Sequence, residues 1–206
     1  MLKELLKAVL AGIVIAIGGS IYLLVDNTIV GSLLFSIGLF CVCAGSLNLF
    51  TGKVSYALVN NKKNNAIILV TFIGNLIGTN LYALLLSLTR NMTQLSEKAI
   101  SICDVKTNDT YLSLFVLGIV CNIFIYIGVS GYKNIPHEIG KYLALILSVM
   151  GFILCKSEHV VADMFYVAMA NKWSMDMAFR ILIIGLGNAT GGILAHTLYS
   201  LTKNKD

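Results

Sequence analysis

The chain has 206 residues, of which 57% are hydrophobic and 12% are charged, and its formal net charge is +5. A soluble domain carries about 25% charged residues, so this composition and the mean hydropathy of +0.85 exclude an ordinary soluble fold and favour a lipid bilayer as the solvent. The basic residues are spread over loops and tails, which argues against a nucleic-acid-binding surface.

Six apolar stretches are long enough to cross a bilayer, which takes about 20 residues in a helix. Only the fifth stretch is interrupted by charged side chains, namely Lys156, Glu158 and Asp163. The first stretch is long for a signal peptide and is interpreted as a span. The runs lack the alternation typical of membrane β-barrels, so all six are predicted to be helical. They cover residues 8–25, 27–52, 64–89, 110–132, 142–170 and 181–202.

The second and fifth stretches have polar centres, which predicts that both helices are broken. The second stretch carries Asn48 and Thr51, and the fifth carries Lys156, Glu158 and His159. A continuous helix would place these charges in lipid at a cost of several kcal/mol. Broken helices that line a polar cavity avoid that cost, and their free backbone groups can then face water or an ion.

The two halves of the sequence resemble each other in the order of their glycine motifs. Gly12 precedes G-N-L-I-G at residues 74–78, and Gly118 precedes G-N-A-T-G at residues 187–191. The small-x-x-x-small spacing of these motifs also suits close helix contact. Because each half has an odd number of spans, three, the second half enters the membrane from the opposite face. This predicts one channel domain, residues 1–206, built as a 3+3 inverted repeat of about residues 5–90 and 108–202.

The distribution of basic residues predicts the orientation, because cytoplasmic loops carry an excess of lysine and arginine. One side of the predicted topology holds Lys3, Lys7, Lys53, Lys62, Lys63, Lys133, Lys141, Lys203 and Lys205. The other side holds Arg90, Lys98, Lys106, Lys172 and Arg180. We therefore expect a multi-pass protein of the cytoplasmic (inner) membrane with both termini in the cytoplasm.

The five cysteines do not indicate a metal or redox site, because no two of them have C-x-x-C spacing. Cysteines within apolar runs are small packing residues in most proteins. The sequence also lacks a recognisable set of catalytic nucleophile and base. We therefore expect no metal, no cofactor and no enzymatic activity.

Six short motifs in a fixed order give the chain a recognisable pattern. They are K-A-V-L-A-G at 7–12, L-F-T-G at 49–52, G-N-L-I-G at 74–78, L-G-I-V-C-N at 117–122, Glu158-His159 followed by A-D-M-F at 162–165, and Gly187-Asn188. The chain thereby resembles the formate/nitrite transporter family, which includes formate, nitrite and hydrosulfide channels. The resemblance implies an aquaporin-like bundle of six helices, a pore within each subunit and a homopentamer.

The resemblance also implies roles for individual residues of this chain. His159 matches the family's central pore histidine, and Phe152 and Leu39 match its two apolar constrictions. The other matching positions are Thr51 in the broken second helix, Asn188 in the last span and Lys106 at the outer mouth. Glu158 is expected to tie down helix ends by hydrogen bonds. This chain departs from the family at Asn48, Lys53 and Lys156.

These positions predict a transport mechanism for a small monovalent weak-acid anion such as formate, nitrite or hydrosulfide. A bare anion loses its hydration between apolar gates at high cost, whereas the neutral acid does not. Histidine has an ordinary pKa of about 6.5, so both of its protonation states are accessible near neutral pH. Lys106 and Lys156 are expected to draw the anion inward, and His159 to assist or protonate it. Thr51 and Asn188 are expected to donate hydrogen bonds to it.

Two other functions are compatible with parts of the sequence. A membrane anchor subunit of a haem or quinone enzyme needs two histidines on neighbouring spans as axial ligands, and His159 and His196 are the available pair. A neutral-solute channel of the aquaporin type predicts paired Asn-Pro-Ala motifs, but the only proline is Pro136, in a loop. The sequence does not choose between formate, nitrite, hydrosulfide, acetate and lactate.

Overall fold

A computed structural model describes residues 1–59 and 62–202, and for residues 62 and 63 it describes the backbone only. Within this part of the chain all regular secondary structure is helical. The helices are α1 (Leu2–Leu24), α2 (Thr28–Ala44), α3 (Phe50–Val54), α4 (Lys62–Ser87), α5 (Met92–Asn108), α6 (Tyr111–Asn134), α7 (Glu138–Leu154), α8 (Val160–Met169) and α9 (Met175–Thr202).

Four of the described helices are long and apolar enough to cross a membrane, namely α1, α4 from Asn64 onward, α6 and α9. Helices α2 and α8 are apolar but shorter. This confirms the prediction of an all-helical, multi-pass membrane protein. The second apolar stretch of the sequence corresponds to α2 and α3 with non-helical residues 45–49 between them. The fifth corresponds to α7 and α8 with non-helical residues 155–159 between them.

The ends of α2 and α7 have the same backbone geometry. Ser46 and Lys156 follow these helices with φ angles of 48° and 51°, in the left-handed region. The next amide in each case turns back to the helix, from Leu47 to the Val42 carbonyl at 2.9 Å and from Ser157 to the Phe152 carbonyl at 3.1 Å. Such left-handed caps are common helix stops, and glycine is the usual residue there.

Helices α1 and α4 pack closely, as do α6 and α9, and glycine permits both contacts. A Cβ atom on Gly78 would lie 2.1 Å from the Val9 carbonyl oxygen, and one on Gly191 would lie 2.2 Å from the Ile119 carbonyl oxygen. No side chain fits at either distance. The predicted role of the small-x-x-x-small motifs in helix packing is therefore confirmed.

Helix α5 lies between the third and fourth predicted spans, where no helix was predicted. It presents a buried stripe made of Leu95, Ala99, Cys103 and Lys106 and packs against α8 and α1. Burial raises the pKa of the Cys103 thiol to about 11, so this cysteine is a packing residue. At the outer surface the side chain of Lys98 binds Asp26 at 2.8 Å, which lowers the pKa of the Asp26 carboxyl.

The outward surface of the bundle is apolar. Large aliphatic side chains are exposed along several helices, among them Leu33, Leu69, Leu84, Leu112 and Leu186. Such a continuous apolar surface is suited to contact with lipid or with other membrane subunits. Four lysines used to predict the orientation are described only in part or not at all. Lys203 and Lys205 lie outside the described residues, and so do the side chains of Lys62 and Lys63.

Candidate pore site

Two cavities enter the bundle from opposite directions. The first, of about 390 Å³, lies against α5 and is lined by residues that include Phe152, Lys156 and His159. We call it the α5-side cavity. The second, of about 410 Å³, lies beside the start of α1 and is lined by residues that include Asn48 and Lys53. We call it the terminus-side cavity.

His159 lies at the bottom of the α5-side cavity, where it also caps helix α8. Its Nδ1 atom accepts a hydrogen bond from the backbone amide of Ala162 at 3.1 Å, and its Nε2 atom lies 3.0 Å from Thr51 Oγ1. A ring nitrogen that accepts carries no hydrogen, so the neutral imidazole has its hydrogen on Nε2. The Nε2–H group therefore donates to Thr51, and the capping contact fixes this tautomer.

Aromatic side chains cover His159 on the side of α2 and α7. The Phe152 ring stacks on the imidazole with 5.5 Å between centroids and 23° between planes. Phe35 contacts Phe152 edge to face at 5.9 Å. Phe152 and Phe35 are both buried, 3% and 2% exposed. The His159 ring is thus held between the apolar ring of Phe152 and the hydroxyl group of Thr51.

Leu39 and Thr51 lie in the region that separates the two cavities. They are 1% and 0% exposed, and neither lines either cavity. Their neighbours do line the cavities, since Gly52 faces the terminus-side cavity and His159 faces the α5-side cavity. A solute that moves between the cavities therefore has to displace buried side chains around Thr51.

The Asn188 side chain forms hydrogen bonds with backbone groups at and near the start of α8. Its Oδ1 atom accepts from the Val160 amide at 2.9 Å, and its Nδ2 atom donates to the carbonyls of Gly118 at 2.7 Å and Glu158 at 2.8 Å. Both amide hydrogens are thus used within the protein. The expectation that Asn188 donates to a permeating anion is not met in this arrangement, because its side chain holds α6, α9 and residues 155–159 together.

Asn75 makes the same three contacts in the first half of the chain. Its Oδ1 atom accepts from the Phe50 amide at 2.8 Å, and its Nδ2 atom donates to the carbonyls of Ala8 at 2.8 Å and Asn48 at 2.9 Å. Each asparagine therefore anchors the first residue of a short helix, α3 or α8, to a long helix of its own half.

Lys106 reaches the wall of the α5-side cavity from α5 and binds two carboxylates. Its ammonium contacts Glu158 Oε2 and lies 3.0 Å from Asp163 Oδ1. All three side chains are no more than 8% exposed. Burial by itself lowers the pKa of Lys106, but Asp163 and Glu158 outweigh it and hold the pKa above its ordinary value. Lys106 is therefore a fixed cation.

The expectation that Lys106 attracts anions needs correction, because its charge is already compensated. The predicted helix-tying role of Glu158 involves its backbone, which donates to the Leu117 carbonyl and accepts from Asn188, while its carboxylate binds Lys106. Lys156 lies exposed at the rim of the same cavity and forms no ion pair with any described residue. The uncompensated cation of this cavity is thus Lys156.

The terminus-side cavity is basic. Lys7, Lys53 and Lys133 line it, together with one acid, Glu4. The Asn48 side chain donates to the Glu4 carboxylate at 2.7 Å and to the Glu4 carbonyl at 3.0 Å. An acidic group therefore lies next to Asn48, and α1 supplies it.

Two residues of the site were not among the predicted site residues. Asp163 was named only as a charge that interrupts the fifth apolar stretch, and Asn75 only as part of the G-N-L-I-G motif. The spacing of Leu95, Ala99, Cys103 and Lys106 was the signal for α5, since it follows one face of a helix.

The haem-anchor alternative conflicts with the hydrogen bonds of His159. Both ring nitrogens are occupied, by Ala162 and Thr51, so axial ligation would break the cap of α8 or the contact to Thr51. His196 lies apart, with Nδ1 3.3 Å from the Tyr126 hydroxyl and its ring against Tyr56.

The chain is similar to known transporters and channels over most of its length. The formate-nitrite transporter of Plasmodium knowlesi (strain H) is 25% identical over 98% of this chain and 77% of its own length. The formate channel FocA of Escherichia coli (strain K12) is 28% identical over 82% of this chain and 66% of its own length.

A solved structure described as a pentameric formate channel with formate bound superposes with a TM-score of 0.79 at 26% identity, over 97% of this chain and 96% of its own. The family described as Formate/nitrite transporter matches residues 1–202. Because the match covers nearly the whole chain, this protein belongs to the formate/nitrite transporter family.

Proposed function

We propose that this protein is a channel that carries small monovalent weak-acid anions, namely formate, nitrite or hydrosulfide, together with a proton. The observation that carries the proposal is the contact between His159 Nε2 and Thr51 Oγ1, 3.0 Å apart and buried between two cavities. A buried, oriented N–H group in a membrane protein is suited to meet an anion or its neutral acid at the narrowest point of a pathway. The proposal includes a proton transfer but no other reaction of the anion and no cofactor.

The proposed architecture is six spans in a 3+3 inverted repeat, residues 5–90 and 108–202, within a single channel domain. The second span consists of α2 and α3 and the fifth of α7 and α8, both broken at their centres. Support comes from Asn75 and Asn188, which make matching sets of hydrogen bonds to the two halves. The left-handed residues Ser46 and Lys156 add a second matched pair.

The proposed location is the cytoplasmic membrane, with both termini in the cytoplasm. In this orientation the terminus-side cavity faces the cytoplasm and its three lysines agree with the excess of basic residues on that side. We also propose a homopentamer. The similar pentameric formate channel and the apolar outer surface of the single chain support it.

The proposed pathway begins at Lys156, whose free ammonium raises the local concentration of anions at the rim of the α5-side cavity. Within the cavity the anion accepts a hydrogen bond from His159 Nε2–H in place of Thr51. Phe152 and Leu39 then exclude the hydrated anion, because its desolvation is costly next to apolar side chains. The species that passes Thr51 is the neutral acid, formed from the anion and a proton that enters from the same outer solution.

Neutral His159 polarises the anion in this pathway but does not protonate it. Loss of the Nε2 proton would leave an imidazolate, since Nδ1 accepts from the Ala162 amide and has no proton to replace it. A second proton, on Nδ1, would point toward the N–H group of Ala162, so that two hydrogen-bond donors would face each other. Assistance by hydrogen bonding, rather than proton donation, is therefore the role that the contacts of His159 support.

Uptake into proteoliposomes tests the proposed function. Formate, nitrite, hydrosulfide, acetate and chloride are supplied at two outer pH values, with protein-free liposomes as the baseline for passive leak. We expect at least one weak-acid anion to enter well above the baseline and chloride not to enter. Equal passage of chloride, or entry of none of the five, contradicts the proposal.

The His159→Phe variant is the companion measurement, since it removes the Nε2–H group and keeps the pathway apolar. Uptake of the transported anion at the wild-type rate by this variant would contradict the role given to His159. Verified folding of the variant in lipid is required for this comparison, because the substitution also removes the cap of α8.

A further inference from the structure

The α5-side cavity contains a charge imbalance that the pathway above does not use. Lys106 is the single cation of a buried cluster, and it contacts the carboxyl groups of both Glu158 and Asp163. If both acids are ionised, one negative charge remains uncompensated in the wall of the cavity. A buried, unpaired charge is strongly disfavoured, and like charges this close together do not both ionise readily.

One atom of the cluster lacks a partner. Asp163 Oδ2 is buried and makes no hydrogen bond, one of two such side-chain atoms among the described residues. The Asp163 side chain is 3% exposed, and its other oxygen, Oδ1, is taken by Lys106. A carboxylate oxygen that is buried without a donor is costly, and a proton on this oxygen removes the imbalance.

We propose that Asp163 holds one proton on Oδ2 and delivers it to the weak-acid anion in the α5-side cavity. This inference rests on the proposed function. In the step, the O–H bond of the Asp163 carboxyl breaks, a new O–H or S–H bond forms on the anion, and the neutral acid leaves toward Thr51. The Asp163 carboxylate then takes up a proton from the outer solution through the cavity.

The geometry of the site favours Asp163 over His159 as the proton donor. His159 has only its Nε2 hydrogen, and Nδ1 is blocked by the Ala162 amide. Asp163 lies one helical turn along α8 from His159, and both line the same cavity. The donor carboxyl and the N–H group that orients the anion therefore share one wall.

The titratable groups around Asp163 come from helices α1, α5, α6 and α8 and from the segment before α8. Lys106 and Cys103 face it from α5, Cys121 from α6, and Tyr166 from its own helix, with Glu158 in the preceding segment. Tyr22 of α1, Lys156 and His159 also line the cavity. Only Glu158 adds a second carboxyl, so the surplus negative charge lies within the Glu158–Asp163 pair, and the unpartnered Oδ2 atom places the proton on Asp163.

The test compares Asp163→Asn with wild type in proteoliposomes that contain a pH-sensitive dye. Asparagine has the size of a protonated aspartate and keeps the cluster neutral, but it has no proton to give. Formate uptake and internal acidification are measured together, which yields protons per formate. The matched control is Asp104→Asn, since Asp104 is an exposed carboxylate of α5 that pairs with Lys172 away from the cavity.

We expect about one proton per formate in all three proteins, because only the neutral acid passes Thr51, and a rate of formate uptake in Asp163→Asn on the order of tenfold or more below that of wild type and Asp104→Asn. An unchanged rate of uptake in Asp163→Asn overturns the inference while the proposed function stands, because formate still enters. If wild-type protein carries no weak-acid anion, the proposed function itself fails, so the two failures are distinguishable.

Infrared spectroscopy of the wild-type protein in lipid gives a readout that is independent of transport. A protonated carboxylic acid has a carbonyl stretch that a carboxylate lacks and that shifts in D₂O. We expect this band at neutral pH in wild type and in Asp104→Asn, and its loss in Asp163→Asn. Its absence from wild type overturns the inference even if Asp163→Asn cannot be prepared.

Discussion

His159 and Thr51 come from the starts of two different short helices, α8 and α3, and meet at 3.0 Å in the interior of the bundle. The contact joins the two halves of the chain, since Thr51 belongs to the first and His159 to the second. A polar contact at this depth stabilises the bundle and also offers a donor that an anion can compete for. The first two predictions separate these roles.

The two functions of His159 can be separated by substitution. Asparagine is a preferred N-cap residue, so His159→Asn is expected to keep the cap on Ala162 while it removes the Nε2–H group. His159→Phe removes both and is expected to lose about 1 kcal/mol more of stability. We expect uptake of the transported anion to fall at least tenfold in both variants, and thermal unfolding in lipid to shift mainly in His159→Phe. Normal uptake in His159→Asn would contradict the role of the ring.

Thr51 is expected to act through its hydroxyl group. Thr51→Val has the same shape but leaves the His159 Nε2–H group without a partner, at a cost of roughly 1–3 kcal/mol. Thr51→Ser keeps the hydroxyl and serves as the control. We expect uptake to fall in Thr51→Val and to be largely retained in Thr51→Ser. Equal uptake by both variants would show that the hydroxyl has no part in transport.

The sequence was sufficient for the membrane class, the positions of the apolar helices and the family, because long uncharged runs and ordered motifs are local signals. It was insufficient for α5, because only every third or fourth residue of this helix is buried and most of the residues between them are polar. The ion pairs of Lys106 could not be predicted from the sequence either. Its partners Glu158 and Asp163 are distant in the sequence, and only the packing of α5 on α8 brings them together.

Asn188 illustrates a different limit. Its position in a span suggested a donor for a permeating anion, but the three backbone groups that it binds come from α6, α8 and the segment before α8. Whether a buried amide is free depends on these tertiary contacts. The sequence does not contain that information, although the matching position of Asn75 was visible in the repeated G-N motif.

Asn75 and Asn188 are expected to contribute equally to stability. Each makes three buried hydrogen bonds, and such bonds between membrane helices average about 0.6 kcal/mol each. Asn75→Ala and Asn188→Ala should therefore each lower the free energy of unfolding by about 2 kcal/mol. Asn134→Ala is the control, since this exposed amide bonds only to Ser130 of its own helix. A large effect at one asparagine alone would contradict the matched architecture.

Lys106 is expected to be required for folding through charge balance. Lys106→Met leaves the buried carboxyl groups without a cation, and breaking a buried pair in this way costs about 3–5 kcal/mol. Little folded protein is expected by size-exclusion chromatography. The triple variant with Lys106→Met, Glu158→Gln and Asp163→Asn removes all the charges and should restore the folded yield. Failure of the triple variant to recover would place the role of Lys106 in its shape rather than its charge.

Lys156 is expected to control how strongly the anion is attracted to the α5-side cavity. Lys156→Gln removes the uncompensated cation, so the KM for the transported anion should rise on the order of threefold to tenfold at low ionic strength. The maximal rate should change little. Salt screens exposed charges over about 8 Å at physiological ionic strength, so the difference from wild type should shrink as an impermeant salt is added. Lys98→Gln is the matched control, because Lys98 lies on α5 and its charge is paired with Asp26. A KM that does not depend on Lys156 at low salt would mean that the anion reaches His159 without electrostatic attraction at the rim.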